Sequence, residues 1–245
     1  MSTYLLINLG AISIPFIYSF HKQLRFDRTW YAFWPAMLIT AGVFIWWDVY
    51  FTRWGVWGFN PLHLNGINWI NLPMEEWLFF LCIPYACVFT YACLNLLIKK
   101  DYLGPYDRTI TVVLIVALTL GGLLNLQRLY TSTTFLATAA FLLLHLLVFK
   151  STYLGRFYLA YLVLLLPFLI VNGLLTGSFV DEQVVWYNNA ENLGVRVFTI
   201  PVEDFFYGML MILMNITLYE SIISWRTKKA FHNSAIPMRY HNAAG

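Results

Sequence analysis

Two short acidic motifs hold the residues best placed for chemistry: Pro73-Met74-Glu75-Glu76 and Pro201-Val202-Glu203-Asp204. Each sets two adjacent carboxyls after a proline. Aromatic residues follow at once, Trp77, Phe79 and Phe80 in the first copy and Phe205, Phe206 and Tyr207 in the second. Neighbouring residues on a helix point about 100° apart, so one acid of each pair can face a bundle interior while the other meets a loop or a neighbouring helix. A carboxyl that hands a proton to an apolar alkene creates a cation, and ring faces stabilise such a cation. Proton in, cation held by rings and proton out is the outline of an isomerisation or cyclisation without a redox partner. The plainer reading is capping. Proline suits a first helical turn, Asn71 and Thr199 stand two residues earlier where they could cap, and acids near a helix start meet the positive end of its dipole. Adjacent pairs, occurring twice, are more than capping requires.

The elements that position these motifs are set by a membrane. Of 245 residues 60% are hydrophobic and 11% charged, a balance that suits lipid better than water. Seven apolar stretches, near 4–20, 30–51, 72–98, 109–126, 131–149, 156–176 and 199–223, are each long enough to cross a hydrocarbon core of ~30 Å as a helix. Lipid cannot satisfy open backbone groups, so helix is forced. The expected fold is an all-α integral membrane protein with seven transmembrane helices. The first stretch lacks a basic leader and a small-residue cleavage site and is read as a span. Twelve basic residues fall on one side of this topology and only Arg53, Arg128 and Arg196 on the other. The positive-inside rule then places the N-terminus outside and the C-terminus in the cytoplasm of a multi-pass cell-membrane protein. The net charge of +3 is a topology signal and argues against nucleic acid as a partner.

The chain also repeats itself. Sliding it by 128 residues aligns Val56 with Val184, Asn60 with Asn188, Gly66 with Gly194, Pro73 with Pro201 and Glu75 with Glu203, and sets Glu76 against Asp204. This predicts two parallel three-helix repeats, 1–100 and 131–225, joined by a connector helix in 101–130, with a basic cytoplasmic tail at 226–245. An even number of spans separates the copies, so an axis along the membrane normal relates them and both acidic pairs lie at one depth. Ionisable groups at membrane depth are functional by default.

No dinucleotide fingerprint, Walker loop or Asp-rich diphosphate handle is present. The histidines His21, His63, His145, His232 and His241 are scattered, and Cys82, Cys87 and Cys93 are spaced as packing residues in one span. His145 reads as an interhelical hydrogen bonder. No cofactor and no metal are expected.

The strings INLPMEEWLFF and FTIPVEDFFYG, with the upstream loops Asn60–Gly66 and Asn188–Gly194, resemble the two repeats of the membrane-integral lycopene cyclases, the flavin-independent class of bacteria, archaea and fungi, and the chain looks like the fused form of that two-subunit family. The resemblance covers essentially the whole chain. It implies a lycopene beta-cyclase that closes ψ ends into β-ionone rings, with membrane lipid and linear lycopene as partners and a homo-oligomer as a further possibility. Carried over, it makes Glu75, Glu76, Glu203 and Asp204 the catalytic candidates, with Glu75 and Glu203 as acid and partner and Glu76 and Asp204 orienting or accepting. The aromatics named above would stabilise substrate and cation. Asp48, Asn60, Asn172, Asn188 and Arg196 are supporting candidates, Arg196 as a partner for Glu203 or Asp204. Two other readings fit a seven-span chain. A proton-coupled transporter would use the acids as a relay, and a retinoid binder would have to be noncovalent, since span seven has no lysine.

Overall fold

The computed structural model describes residues 2–178, 180 and 182–234. The end of the expected tail, 235–245 with Arg239 and His241, lies outside the described residues. The helices are α1 Thr3–Tyr18, α2 Trp30–Arg53, α3 Met74–Leu97, α4 Asp107–Leu123, α5 Leu129–Leu144, α6 Leu154–Thr176 and α7 Val202–Ser234. Six of them, with their flanking turns, are long and apolar enough to cross a membrane. The sixteen residues of α1 reach about 24 Å, a little under the core thickness. The helices match the seven expected spans closely because continuous apolar runs leave the backbone no other way to satisfy itself. Helix α7 runs on through Ser234 into the expected tail, where no proline or glycine stops it.

Helix α1 packs on α3, and α5 on α7, while α2 leans on α7 and α6 on α3. Each repeat therefore lends its middle helix to the other, and α4 lies along α5. Just past its C-terminal end, remote from the acids, α5 is tied to α7 by His145, whose Nε2 lies 3.0 Å from Thr217 Oγ1. This is the interhelical bond expected of it.

Six short strands cluster at the end where α3 and α7 begin: β1 Trp57–Phe59, β2 Asn68–Trp69, β3 Leu72–Pro73, β4 Val185–Tyr187, β5 Arg196–Val197 and β6 Ile200–Pro201. The hairpins β2–β3 and β5–β6 are copies of one another. Both turn through a non-glycine residue in the left-handed region, Ile70 at φ 62° and Phe198 at φ 56°, as tight two-residue hairpin turns require. Strand β1 pairs antiparallel with β4, Trp57 opposite Tyr187, Gly58 opposite Trp186 and Phe59 opposite Val185. Gly58 and Trp186 are repeat counterparts, so the local twofold axis of the strand pair passes between them. A side chain at position 58 would put its Cβ 2.4 Å from the Trp186 ring. Of the two residues at the axis only one can be large.

The prolines act differently from a first-turn proline. Pro73 sits in extended backbone (φ −64°, ψ 149°) at the end of its hairpin, and α3 starts one residue later. The first helical amides, of Met74 and Val202, donate to Ile67 O at 2.8 Å and Val195 O at 3.0 Å. Asn71 and Thr199 fall in the hairpin turns and cap neither helix. Asn71 Nδ2 donates to Val49 O at 2.9 Å, and Thr199 Oγ1 meets the hydroxyls of Thr176 and Ser178, each at 2.6 Å.

Candidate active site

The first acid of each motif is built into the frame. Glu75 and Glu203 are wholly buried. Glu75 Oε1 accepts from Ser2 Oγ and from the Asn65 amide, both at 2.7 Å. Glu203 Oε1 accepts from Thr131 Oγ1 at 2.6 Å and from the Leu193 amide at 2.7 Å. Asn65 and Leu193 are counterparts in the repeat. Each carboxyl thus pins three segments together: the start of its own helix, the start of α1 or α5, and the loop before the hairpin. On the α1 side Asn8 Nδ2 adds a bond to Glu75 O at 2.8 Å.

The second acids point elsewhere, as a rotation of about 100° per residue demands. Glu76 and Asp204 both line one cavity of about 380 Å³. The Tyr4 hydroxyl donates to Glu76. Both Asp204 oxygens accept from phenols, Oδ1 from Tyr130 at 2.5 Å and Oδ2 from Tyr187 at 2.9 Å. Asp48, on α2, is a third carboxyl in the wall and stands beside Glu76. Its Oδ1 accepts from Trp57 Nε1, and its Oδ2 is buried without a protein partner. Starting α2 at Trp30 and α6 at Leu154 sets Asp48 level with Asn172, which also faces the cavity. One repeat therefore contributes two carboxyls and the other a carboxyl and an amide. Trp57, Tyr130, Tyr187 and Tyr207 wall this end, with Tyr130 and Tyr187 stacked at 5.9 Å and Trp57 edge-on to Tyr130 at 5.0 Å.

Behind the acids the cavity becomes an apolar slot. Along α3 its lining runs from Glu76 through Phe79, Ile83 and Cys87 to Thr90, about 21 Å of helix. Gly10, Ala11 and Ile14 of α1 and Leu164, Phe168 and Val171 of α6 form its sides. Gly10 and Ile14 line the slot and are also exposed on the outside of the bundle, so the slot opens sideways between α1 and α6, where lipid would lie.

Of the aromatics singled out from the sequence, Phe79 and Tyr207 face the cavity. Trp77 packs on Trp69, Phe80 on Phe44, Phe205 on Phe168 and Phe206 on Phe135. Asn60 and Asn188 serve their loops. Asn60 Oδ1 accepts from the Leu62 amide at 3.1 Å, and its Nδ2 donates to Glu182 at 2.9 Å; Asn188 Oδ1 accepts from the Ala190 amide at 3.1 Å. Arg196 does not pair with Glu203 or Asp204. Its guanidinium is taken by Thr199 O at 2.6 Å and Asn189 Oδ1 at 2.8 Å, and lies 5.8 Å from the centre of the Tyr187 ring. Burial, followed by the Asp204 carboxyl beside it, pushes the Tyr187 phenol well above its ordinary range. Tyr4, Tyr130, Tyr187 and Trp57 also donate to the site's carboxyls, beyond the residues the motifs single out. Trp57 and Tyr187 lie inside the loops that the repeat had aligned; nothing in the sequence marks Tyr4 or Tyr130.

Comparison with protein families finds that the chain matches the family described as lycopene cyclase, over residues 1–94 and 127–222. The two segments fall on the two repeats and leave the connector between them. No curated protein and no solved structure matches the chain.

Proposed function

Because the chain belongs to the lycopene cyclase family, enzymes of carotenoid cyclisation, we propose that it closes the ψ end of lycopene to a β-ionone ring and that Asp48, Glu76 and Asp204 carry the steps. One observation supports this above all: the second acids of both motifs meet at one end of one largely apolar slot whose lining residues Gly10 and Ile14 are exposed on the side of the bundle. Asp48 and Glu76 stand side by side, and like charges at one site favour keeping a proton on one of the two carboxyls. That proton goes to the terminal alkene of the ψ end. The neighbouring double bond attacks the tertiary cation, forming the ring bond and moving the charge into the ring. The ring walls and the carboxylate of Asp204 lower the energy of that cation. Asp204, whose two oxygens already accept phenolic hydrogens, is the base that takes a ring proton. Product and substrate are isomers, and no oxidant or reductant is consumed.

Glu75 and Glu203 are positioning residues in this scheme. They fix the helix starts, so that the acids beside them point inward. The acid end faces outside, as the distribution of basic residues indicates. The test is expression in cells that accumulate lycopene, with pigments resolved by chromatography and mass. Ring-bearing isomers of unchanged mass are expected. Lycopene alone, with the protein abundant in the membrane, would refute the assignment.

A further inference from the structure

The acid centre draws on both repeats, but the space behind it belongs to one side only. We infer that each chain offers a single substrate slot, enclosed by α1, α3 and α6 with one side of α7 behind them, so that the two ends of a linear carotene are cyclised in separate visits and the singly cyclised carotene leaves in between. This rests on the cyclase reading above.

The repeat relation makes α5 and α2 the counterparts of α1 and α6, so a second slot would run between α5, α7 and α2. That space is filled. Phe44, wholly buried, meets the Tyr207 ring edge-on at 4.9 Å. Trp47 stacks on Phe44 at 5.9 Å and lies 5.5 Å from Tyr207. With Asp48 level with Asn172, Trp47 is level with Val171, so an indole stands where the open side has a valine that lines the slot. On the α5 face Phe135 packs against Phe206 at 5.1 Å, Leu142 is wholly buried, and Thr138 Oγ1 donates to Phe206 O at 3.2 Å. The corresponding face of α1 carries Gly10, with nothing within 4 Å of where its Cβ would be. The acids stand at the far end of the slot from Thr90, and substrate enters sideways from lipid. Only one end of a linear molecule reaches the acids while its remainder follows the slot to the mouth. The other end can take its place only after the molecule has withdrawn and returned reversed.

Gly10→Phe tests this, because the position is exposed and has room, so the ring obstructs the slot without disturbing the packing of the bundle. In lycopene-accumulating cells with the variant present in membranes at wild-type amount, singly and doubly cyclised products should fall together, by at least about tenfold, a loss of ~1.4 kcal/mol in transition-state binding. Singly cyclised product persisting at wild-type amount would reveal a second working slot and overturn the inference. A second measurement needs no variant. Wild-type protein is placed in vesicles with lycopene in large molar excess, and products are followed in time. Singly cyclised carotene should exceed the amount of enzyme before any doubly cyclised product forms. Doubly cyclised product rising while the singly cyclised form never exceeds the enzyme would overturn it. Failure of the wild-type protein to form any ring is a different result, which refutes the cyclase reading itself.

Discussion

Replacing Glu75 and Glu76 by glutamine, one at a time, separates a carboxyl that holds the frame from one that moves a proton. Glu75 accepts two hydrogen bonds on Oε1, and its Oε2 is buried without a partner. Glutamine keeps an acceptor for both donors, but it buries an amide N–H₂ where no protein group accepts, at a cost of about 1–3 kcal/mol. Glu75→Gln should therefore lose about 1–3 kcal/mol of stability, seen as a lower unfolding temperature in detergent. Well below that temperature its turnover should stay within about tenfold of wild type. Glu76 keeps its Tyr4 donor as glutamine, so stability should barely change. General acid catalysis is worth about 10²–10⁴ in rate, and Glu76→Gln should lose at least that. The assay is lycopene turnover in vesicles at matched amounts of folded protein. A folded, inactive Glu75→Gln beside a Glu76→Gln that turns over within tenfold of wild type would refute this division of roles.

Tyr130→Phe and Tyr187→Phe each remove one phenol from Asp204 and should each slow turnover by about 10–100-fold, at 1.5–3 kcal/mol per charge-assisted bond. Because both act on one carboxyl, the double variant should depart from the product of the two effects; simple multiplication in a double-mutant cycle would count against a shared target. Since the Tyr187 phenol is held above its ordinary range, it should keep its proton through about pH 10. Turnover that falls with a midpoint near pH 10 in wild type, but not in Tyr187→Phe, would contradict this. Gly155→Ala would set a Cβ 2.3 Å from the backbone nitrogen of Gly104. It should lower the unfolding temperature by the equivalent of about 1–3 kcal/mol of overpacking while leaving the product pattern unchanged, and an unaltered melt would show that the turn at Gly104 can move aside.

The spans and the equivalence of the two motifs are legible in the sequence because both depend on local pattern: continuous apolar runs, and a shift of 128 that holds from Val56 to Glu76. The roles of the adjacent acids are less legible. A step of 100° tells that they diverge, but whether Glu75 or Glu76 faces the cavity is decided by where α1, α2 and the loop pack. Asp48 and Asn172 can each be suspected singly. Their correspondence is hidden because the loop between α6 and β4 is longer than that between α2 and β1, which breaks the shift. Tyr4 and Tyr130 reach their carboxyls across more than seventy residues of chain, and no short pattern encodes such contacts. The aromatics after each motif illustrate the converse. All six sit on the expected helices, yet four are spent on neighbours, since only a narrow arc of α3 and α7 borders the slot.

The pairing of β1 with β4 bears on how the chain is made. Residues 57–59 are synthesised long before 185–187, and α7, on which α2 leans, comes later still. During that interval the early half presents an unpaired strand edge, a surface that readily takes any matching strand. Its proper partner is its own later copy, and the register is centred on Gly58, so pieces of the chain divided at the connector would carry complementary edges and could join from separate molecules. The same edge makes the unfinished chain vulnerable. A β4 strand from a neighbouring molecule fits it as well as its own, so crowding in the membrane during synthesis would favour halves exchanged between molecules.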